Sequence, residues 1–359
     1  MAQPSAFITG VTGQDGGELA RLLLSKGYRV HGLARSPDRF EWSRVESAAD
    51  ARQNLFLHKG DMRDAGSLAR ALHDARPDEI YNLAAQSNVG LSFDRPDETF
   101  DVNAAGTQRM LRAMRLLGLG ETSRLYQASS SEIFGPSDGH PHTEETEFNP
   151  CSPYAESKVL AFETIRHYRE KLGVFACNGI LFNHEGPYRW KGFVTRKISI
   201  AVAAKHLDIE APLALGNLDA CRDWGHVSDY VAGMWAMLQN DKPEDMILAT
   251  GEARSVRSFV EAAFACVGHD VVWEGRGVEE TGRDAKTGEL LVCINPKFYR
   301  PVDPPIAIGD ASKARRVLGW RPRVTFQQLV HEMVQADIER LRILAAAGEA
   351  PSLVAAVAD

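Results

Sequence analysis

Along the first half of the chain, apolar positions alternate between two periods. Short apolar runs at "SAFITG", "YRVHGL", "NLFLHKGD", "EIYNLAA", "RLYQASS" and "VFACNGILFN" have the length and content of buried strands. Between them, "ELARLLLSKG", "SLARALHDA" and "TQRMLRAMRLLG" space their apolar residues as amphipathic helices do. Strands separated by helices predict a parallel, doubly wound α/β sheet, because each crossover lays its helix on a face of the sheet. After Asn183 the rhythm breaks, as Gly, Pro and charged residues interrupt shorter segments. A smaller C-terminal α/β region, assembled from more than one stretch, is expected there. The segment "HVSDYVAGMWAMLQ" reads as a helix returning to the main domain. The expected organisation is a main domain over residues 1–183, rejoined by 221–250, and a substrate-binding region over 184–220 and 251–345. The alanine-rich sequence after Leu341 is expected to fray, leaving 346–359 as a disordered tail.

Composition narrows the function by exclusion. A chain of 359 residues can bury one large core, or a core with a smaller satellite. The formal net charge of -7 argues against a general polyanion-binding surface, while leaving room for a local basic pocket for a phosphorylated small molecule. Cys151, Cys177, Cys221, Cys266 and Cys293 are odd in number, scattered and without a CxxC pair. They predict free thiols in a reducing compartment rather than a disulfide framework or a metal site. "MAQPSAFITG" lacks the basic start and long apolar region of a signal peptide, and no run approaches membrane-spanning length. A cytoplasmic protein that binds neither nucleic acid nor membrane is expected.

"TGVTGQDG" follows the first strand and opens the first helix, with Gly10, Gly13 and Gly16 spaced three apart. In that setting the glycines permit a tight turn, close backbone approach to a pyrophosphate, and close helix-on-strand packing. The helix N-terminus adds free N–H groups and a positive dipole end. This predicts a Rossmann-like dinucleotide site. About twenty residues further on, an NAD site carries an acid for the ribose 2′-hydroxyl. Here Arg35 stands in "GLARSPDR", and a guanidinium suits the 2′-phosphate of NADP, the alternative being a solvated loop arginine. Asp61, in "KGDM", is placed to meet the adenine.

"YAESK" sets Tyr154 and Lys158 one helical turn apart, so phenol and ammonium share a face. The lysine charge is expected to lower the tyrosine pKa and give a base able to deprotonate an alcohol. Upstream, "ASSSEIFG" ends a strand in three hydroxyls beside Glu132. A glycine triad, then a strand ending in serines, then YxxxK is an order that resembles the extended short-chain dehydrogenase/reductase superfamily. By that resemblance, Ser, Tyr and Lys surround a nicotinamide. A plain reductase gives Glu132 no task, but an elimination does. In a 4-keto sugar the proton on carbon 5 is acidified, and one carboxyl can abstract it and protonate the departing hydroxyl of carbon 6.

Longer motifs sharpen the resemblance. "FITGVTGQDG", "EIYNLAAQS", "QASSSEIFG", "SPYAESK", "GILFNHE", "FVTRKIS", "LGNLDACRDWGH", "MLQND", "LATGE" and "YRPVD" resemble the GDP-mannose 4,6-dehydratase family, in family order over nearly the whole chain. The resemblance implies conversion of GDP-mannose to GDP-4-keto-6-deoxymannose through a transient 4-keto intermediate, with internal hydride return from NADPH. It also implies a homodimer or homotetramer. It puts Ser130 in the hydroxyl position, Glu132 as acid/base, Tyr154 as base and Lys158 as its partner. Cofactor contacts would come from Gly10, Thr12, Gly13, Gln14, Asp15, Gly16, Arg35, Asp61, Met62, Leu83, Ala84, Ala85, Gln86, Ser87, Tyr154, Lys158, His184 and Arg189. The substrate would meet Ser87, Glu132, Asn183, Lys197 and Arg222, with Arg222 close to the two phosphates unless it pairs with the neighbouring Asp223.

Departures from the family pattern are Ser36 in place of an arginine, Asn88 where His is usual, Glu98 where Tyr is expected, and the atypical "HEGPYRWKG". None touches Ser130, Glu132, Tyr154 or Lys158. The alternatives are a dehydratase of a related GDP-sugar such as a manno-heptose, and a nucleotide-sugar epimerase or reductase of the same fold. A non-catalytic cofactor-binding protein is disfavoured by the intact quartet.

Overall fold

The computed structural model describes residues 3–46, 48, 50–137, 139–209, 213–299 and 306–348. The six apolar runs form strands β1 (Ser5–Thr9), β2 (Arg29–Ala34), β3 (Leu55–Lys59), β4 (Glu79–Asn82), β5 (Arg124–Ala128) and β6 (Ala176–Leu181), and β7 (Met246–Leu248) joins them. Together they make one 7-stranded sheet in the order β7-β6-β5-β4-β1-β2-β3, with every pairing parallel. All residues of β4 and β6 are buried, which is why these strands read as continuous rather than alternating apolar runs. The chain starts mid-sheet at β1, winds outward to β3, then returns beside β1 and winds the other way. The strand order therefore reverses between β1 and β4, and the ligand crevice of such a sheet lies at that point, beyond the carboxyl ends of the strands.

The helices that position the site are α1 (Gln14–Ser25), α2 (Ala65–Ala75), α3 (Gly106–Leu116), α4 (Pro153–Leu172), α5 (Val194–His206), α6 (Val227–Gln239), α7 (Val256–Ala265) and α8 (Phe326–Ala346). Leu19 and Leu23 of α1 and Tyr230 and Met234 of α6 pack with Ile8, Tyr81 and Tyr126 in one core. Leu68 and Leu72 of α2, Met110 and Met114 of α3 and Ile165 of α4 pack with Phe7, Ile80 and Leu125 in another. Helices thus cover both faces of the sheet. A third core joins Ile198 and Val202 of α5, Phe259 and Val260 of α7, and Met333 and Val334 of α8. Beside it lies a 4-stranded sheet made of Leu213–Leu215, Val271–Glu274, Thr281–Asp284 and Leu290–Ile294. Cys221–Asp223 belongs to a separate 3-stranded sheet with Ala253–Ser255 and Ile306–Ala307, so the chain re-enters the main body at α6.

Two local features differ from the sequence reading. Helix α3 is preceded by a helix over Pro96–Phe100 and a π-type turn over Asp101–Ala105. That turn carries Asn103, buried, whose Oδ1 accepts from Gln86 N–H at 2.9 Å and whose Nδ2 donates to the Gln86 carbonyl at 3.1 Å and to Ser157 Oγ at 3.0 Å. The second difference is at the C-terminal end, where α8 continues to Ala346 instead of fraying after Leu341. Leu341 is fully buried and Leu344 packs against the third core, so the apolar stripe of the helix outlasts the point where its polar pattern fades. Residues 349–359 of the expected tail, and "YRPVD" after Tyr299, lie outside the described residues. No described helix is long and apolar enough to cross a membrane.

Candidate active site

The carboxyl ends of β1 and β4 are bound together. Thr9 Oγ1 donates to Asn82 Oδ1 at 2.7 Å and accepts from the N–H groups of Leu83 and Ala84, each at 3.0 Å. Gly10 has φ +72°, and a Cβ there would stand 3.0 Å from Ala84 backbone atoms. A Cβ on Gly16 would stand 2.2 Å from the Gly10 carbonyl oxygen, so only glycine lets α1 start this close to the turn. Gly13 caps α1 without any side-chain hydrogen bond, leaving its first-turn N–H groups to a ligand. The turn and the uncapped helix, which offer N–H donors and a positive dipole end, fit the pyrophosphate of a dinucleotide. Thr12 sits at the outer bend of this turn.

Further along the same edge, Arg35 is exposed directly after β2. Asp61 follows β3, its carboxyl accepting from the Arg63 guanidinium at 2.8 and 3.0 Å and from the Arg63 N–H at 2.9 Å. Those bonds hold its pKa below the usual range, and the sequence reading did not foresee them. Met62 is buried beneath Gly106 at the start of α3.

At the end of β5 the chain turns sharply. Ser130 Oγ accepts from the Glu132 N–H at 3.3 Å and opens a short 3₁₀ turn, Ser131–Phe134. Gly135 closes it at φ +68°, where a Cβ would lie 2.1 Å from the Asn149 carbonyl oxygen. Opposite, Ser152 caps α4 by accepting from the Ala155 N–H at 3.1 Å, and Pro153 follows at the first helical position. This fixes Tyr154 and Lys158 on one turn, and with Ser130 and Glu132 they line a cavity of about 450 Å³. The Lys158 ammonium donates to the Ala128 carbonyl at 2.9 Å and lies 5.7 Å from the centre of the Tyr154 ring.

The electrostatics correct one expectation. Burial pushes the Tyr154 phenol up to about 12, opposed by a hydrogen bond with Ser130 and reinforced by the Glu132 charge. Burial also pushes the Lys158 ammonium down to about 8. Desolvation decides the direction for the phenol, and the ammonium, bonded to a backbone carbonyl, lies 5.7 Å from the ring centre.

A crossing segment after β6 closes the cavity. His184 Nε2 meets Asp15 Oδ2 at 2.9 Å, His184 Nδ1 meets the Phe182 carbonyl at 2.8 Å, and the ring stacks on Tyr230. Burial opposes ionisation of both partners. The charge and hydrogen bond of His184 nonetheless hold Asp15 well below the usual carboxylate range, and those of Asp15 hold His184 above the usual imidazole range. Gln14 Nε2 donates to the His184 carbonyl at 3.1 Å, tying this segment to the first turn of α1.

Glu185, buried, accepts from Thr195 Oγ1 at 2.7 Å and pairs with Arg189 Nε at 2.9 Å. Arg189 lies over the Phe193 ring at 3.6 Å. Lys197 lies over Phe298 at 3.9 Å. The Asp223 carboxyl accepts from Thr250 and Gly251 N–H groups, each at 2.8 Å, while Arg222 lines the cavity.

Of the expected site residues, the cavity wall brings together Asp15, Leu83, Ala85, Ser87, Ser130, Glu132, Tyr154, Lys158, Asn183, His184, Arg189, Lys197 and Arg222. Gly10, Thr12, Gly13, Gln14, Gly16, Arg35, Asp61, Met62, Ala84 and Gln86 lie along the strand ends outside that wall. Asn88, at the divergent position, also lines the cavity, and its Oδ1 caps the helix Val89–Asp94 by accepting from the Leu91 N–H at 3.0 Å. Glu185, Asn103 and Arg44 were not singled out by the sequence reading. Arg44 Nη1 donates to the carbonyls of Thr12 and Gly13 at 2.9 and 3.2 Å. Nothing in its local sequence signals that contact, since it joins residues far apart in the chain.

A doubly wound sheet, a glycine turn at its switch point and a buried Ser-Tyr-Lys group define an extended short-chain dehydrogenase/reductase. The family model for GDP-mannose 4,6 dehydratase matches residues 7–333, and the chain belongs to that family. It is 50% identical over 341 residues to a GDP-mannose 4,6-dehydratase of Sinorhizobium fredii, covering 94% of this chain and 97% of that one. It is 48% identical over 342 residues to the GDP-mannose 4,6 dehydratase of Homo sapiens, covering 94% and 92%. Its fold is shared with a dTDP-glucose 4,6-dehydratase of Streptomyces venezuelae solved with NAD bound, at TM-score 0.78 and 24% identity over 94% of this chain and 98% of that one.

Proposed function

We propose that this chain is an NADP-dependent GDP-mannose 4,6-dehydratase, a hydro-lyase that converts GDP-mannose to GDP-4-keto-6-deoxymannose. Family membership supports the reaction, and one observation carries it in this chain: Glu132 faces the same cavity as Ser130, Tyr154 and Lys158. Tyr154 takes the proton of the sugar's 4-hydroxyl, its phenolate favoured against burial by the Ser130 hydrogen bond and the Arg189 charge, and Lys158 adds a cation one helical turn away. When bound, the nicotinamide supplies the hydride acceptor, taking hydride from carbon 4 and returning it to carbon 6. Glu132 removes the proton from carbon 5 and hands it to the departing 6-hydroxyl, so that water leaves and a carbon 5–carbon 6 double bond forms. The double bond then takes up hydride at carbon 6 and a proton at carbon 5, which balances the one that Tyr154 removed from the 4-hydroxyl. Oxidation and reduction cancel, and the net change is the loss of one water.

NADP rather than NAD is supported by Arg35 at the end of β2, where the ribose phosphate would fall. Arg222 and Lys197 offer cationic partners for the diphosphate, with Asn183 and Ser87 beside the sugar. Residues 1–183 with the returning α6 and β7 hold the dinucleotide, and 184–220 with 251–345 close the sugar-nucleotide side. The family resemblance supports a homodimer or homotetramer and a cytoplasmic enzyme. Incubation with GDP-mannose and a trace of NADP, followed by mass spectrometry, tests the reading. The expected product is lighter by one water, with no accumulation of NADPH. An unchanged mass would mean an epimerase or an inert binder, and a change of two hydrogens would mean net redox.

A further inference from the structure

The segment carrying Arg189 is fastened at its base to one part of the molecule and touches another at its tip. At the base, Arg196 donates to the carbonyls of Pro187 and Arg189, and Arg340 Nη2 donates to the Pro187 carbonyl at 3.2 Å. Both guanidiniums are anchored on one carboxylate, Asp337 of α8, at 2.7 Å from Arg196 and 2.5 Å from Arg340. Asp337 is buried, and Ser199 Oγ donates to it at 2.6 Å. At the tip stands Tyr188, inside the atypical "HEGPYRWKG". The guanidinium of Arg44 lies over its ring at 4.4 Å and that of Arg340 at 5.8 Å. Arg44 is the residue that holds the Thr12 and Gly13 carbonyls of the glycine turn, and its side chain is only 12% exposed.

We propose that Tyr188 is a positioning residue that locks the glycine turn to the Arg189 segment through its ring, by cation–π contact with Arg44 braced by Arg340. The inference rests on the reading of the glycine turn as a dinucleotide site. A guanidinium that donates along its edge still offers its flat face, so Arg44 can bond the turn carbonyls and stack on Tyr188 together. The ring, together with the Glu41 carboxylate to which Arg44 Nε donates at 3.0 Å, fixes where Arg44 stands, and Arg44 fixes the backbone that presents the first N–H groups of α1. The neighbouring residue, Arg189, reaches the cavity with its own geometry set by Glu185. Displacing Tyr188 therefore loosens the cofactor end of the site without removing any group that touches a ligand.

The test is NADP affinity, measured by calorimetric titration of the purified chain and its variants. Tyr188→Leu is expected to weaken NADP binding about 5- to 10-fold, the scale of a cation–π contact shielded from water. Tyr188→Phe keeps the ring and is expected to stay within about 2-fold of the parent. Arg44→Met should lose at least as much as Tyr188→Leu, since it also removes the bonds to the turn, and the double variant little more than Arg44→Met alone, because the ring contact is shared. Parent-like binding by Tyr188→Leu would overturn the proposal. So would a Tyr188→Phe loss as large as that of Leu, or single losses that multiply in the double variant. Should Tyr188→Leu fail to fold, parent-like binding by Arg44→Met would overturn it equally. A parent chain that binds no NADP would instead refute the dinucleotide reading.

Discussion

Tyr154 and Lys158 stand in the arrangement their spacing requires, yet burial moves both away from the ionisation that alcohol deprotonation uses: the phenol rises to about 12 and the ammonium falls to about 8. The spacing of two residues fixes a shared helical face but not the dielectric around it, and that depends on β5 and the 182–189 segment closing over them. Arg35 is a contrasting case. It is exposed, its place after β2 was legible from chain position alone, and its proposed role is a difference between two ligands. Arg35→Ala is expected to weaken NADP by at least ~10-fold while leaving NAD nearly unchanged, since only NADP offers a phosphate for charge-assisted hydrogen bonds. Parallel titrations of both cofactors check this, and equal losses would return Arg35 to the status of a solvated loop residue.

Among the elements, six of the seven strands of the main sheet were legible as apolar runs, most plainly β4 and β6, which are buried throughout, whereas the short β7 was not read as a strand. The glycine turn was legible for a similar reason: positive φ at Gly10 and the crowding at Gly16 each exclude a side chain. Contacts between distant elements were not legible. The π-type turn that aims Asn103 at Gln86, and the reach of Arg44 to Thr12, leave no mark in a local pattern. Neither does the pair formed across β2 and β3, where His31 Nδ1 meets His58 Nε2 at 3.0 Å and the rings stack at 5.2 Å.

Burial, then the neighbouring His58 and Arg29, push His31 from 6.5 down to about 4, against a weaker pull from Asp74, and burial lowers His58 as well. Because the folded values are depressed, the unfolded chain binds more protons between about pH 6.5 and pH 4, and this pair costs stability as the pH falls through that window. The drop in thermal midpoint between about pH 7 and pH 5 should therefore be smaller in His31→Leu than in the parent. An identical drop would show that the histidines do not contribute.

At the scale of the whole molecule, the winding of the sheet brings the glycine turn, the serine-rich end of β5 and the first turn of α4 to one edge. The third core then supplies α5, whose Lys197 and Thr195 face the same cavity. Under the proposed function, cofactor chemistry and elimination chemistry share this one cavity, as an internal redox reaction needs if its intermediate is not to escape. The quartet of Ser130, Glu132, Tyr154 and Lys158 could be read from the sequence because it lies on two short motifs. The walls that enclose it come from segments more than a hundred residues apart, such as Asp15 and His184.

The central claim is a division of labour, in which Tyr154 and Lys158 serve the oxidation at carbon 4 and Glu132 serves the loss of water. The most direct measurement is to supply Glu132→Gln with GDP-mannose deuterated at carbon 4 and follow deuterium and water loss together. Water loss should fall by at least ~100-fold, the scale of a positioned acid/base, while deuterium still leaves carbon 4. Normal dehydration by Glu132→Gln, or a block at carbon 4 as complete as that of Tyr154→Phe, would contradict the account.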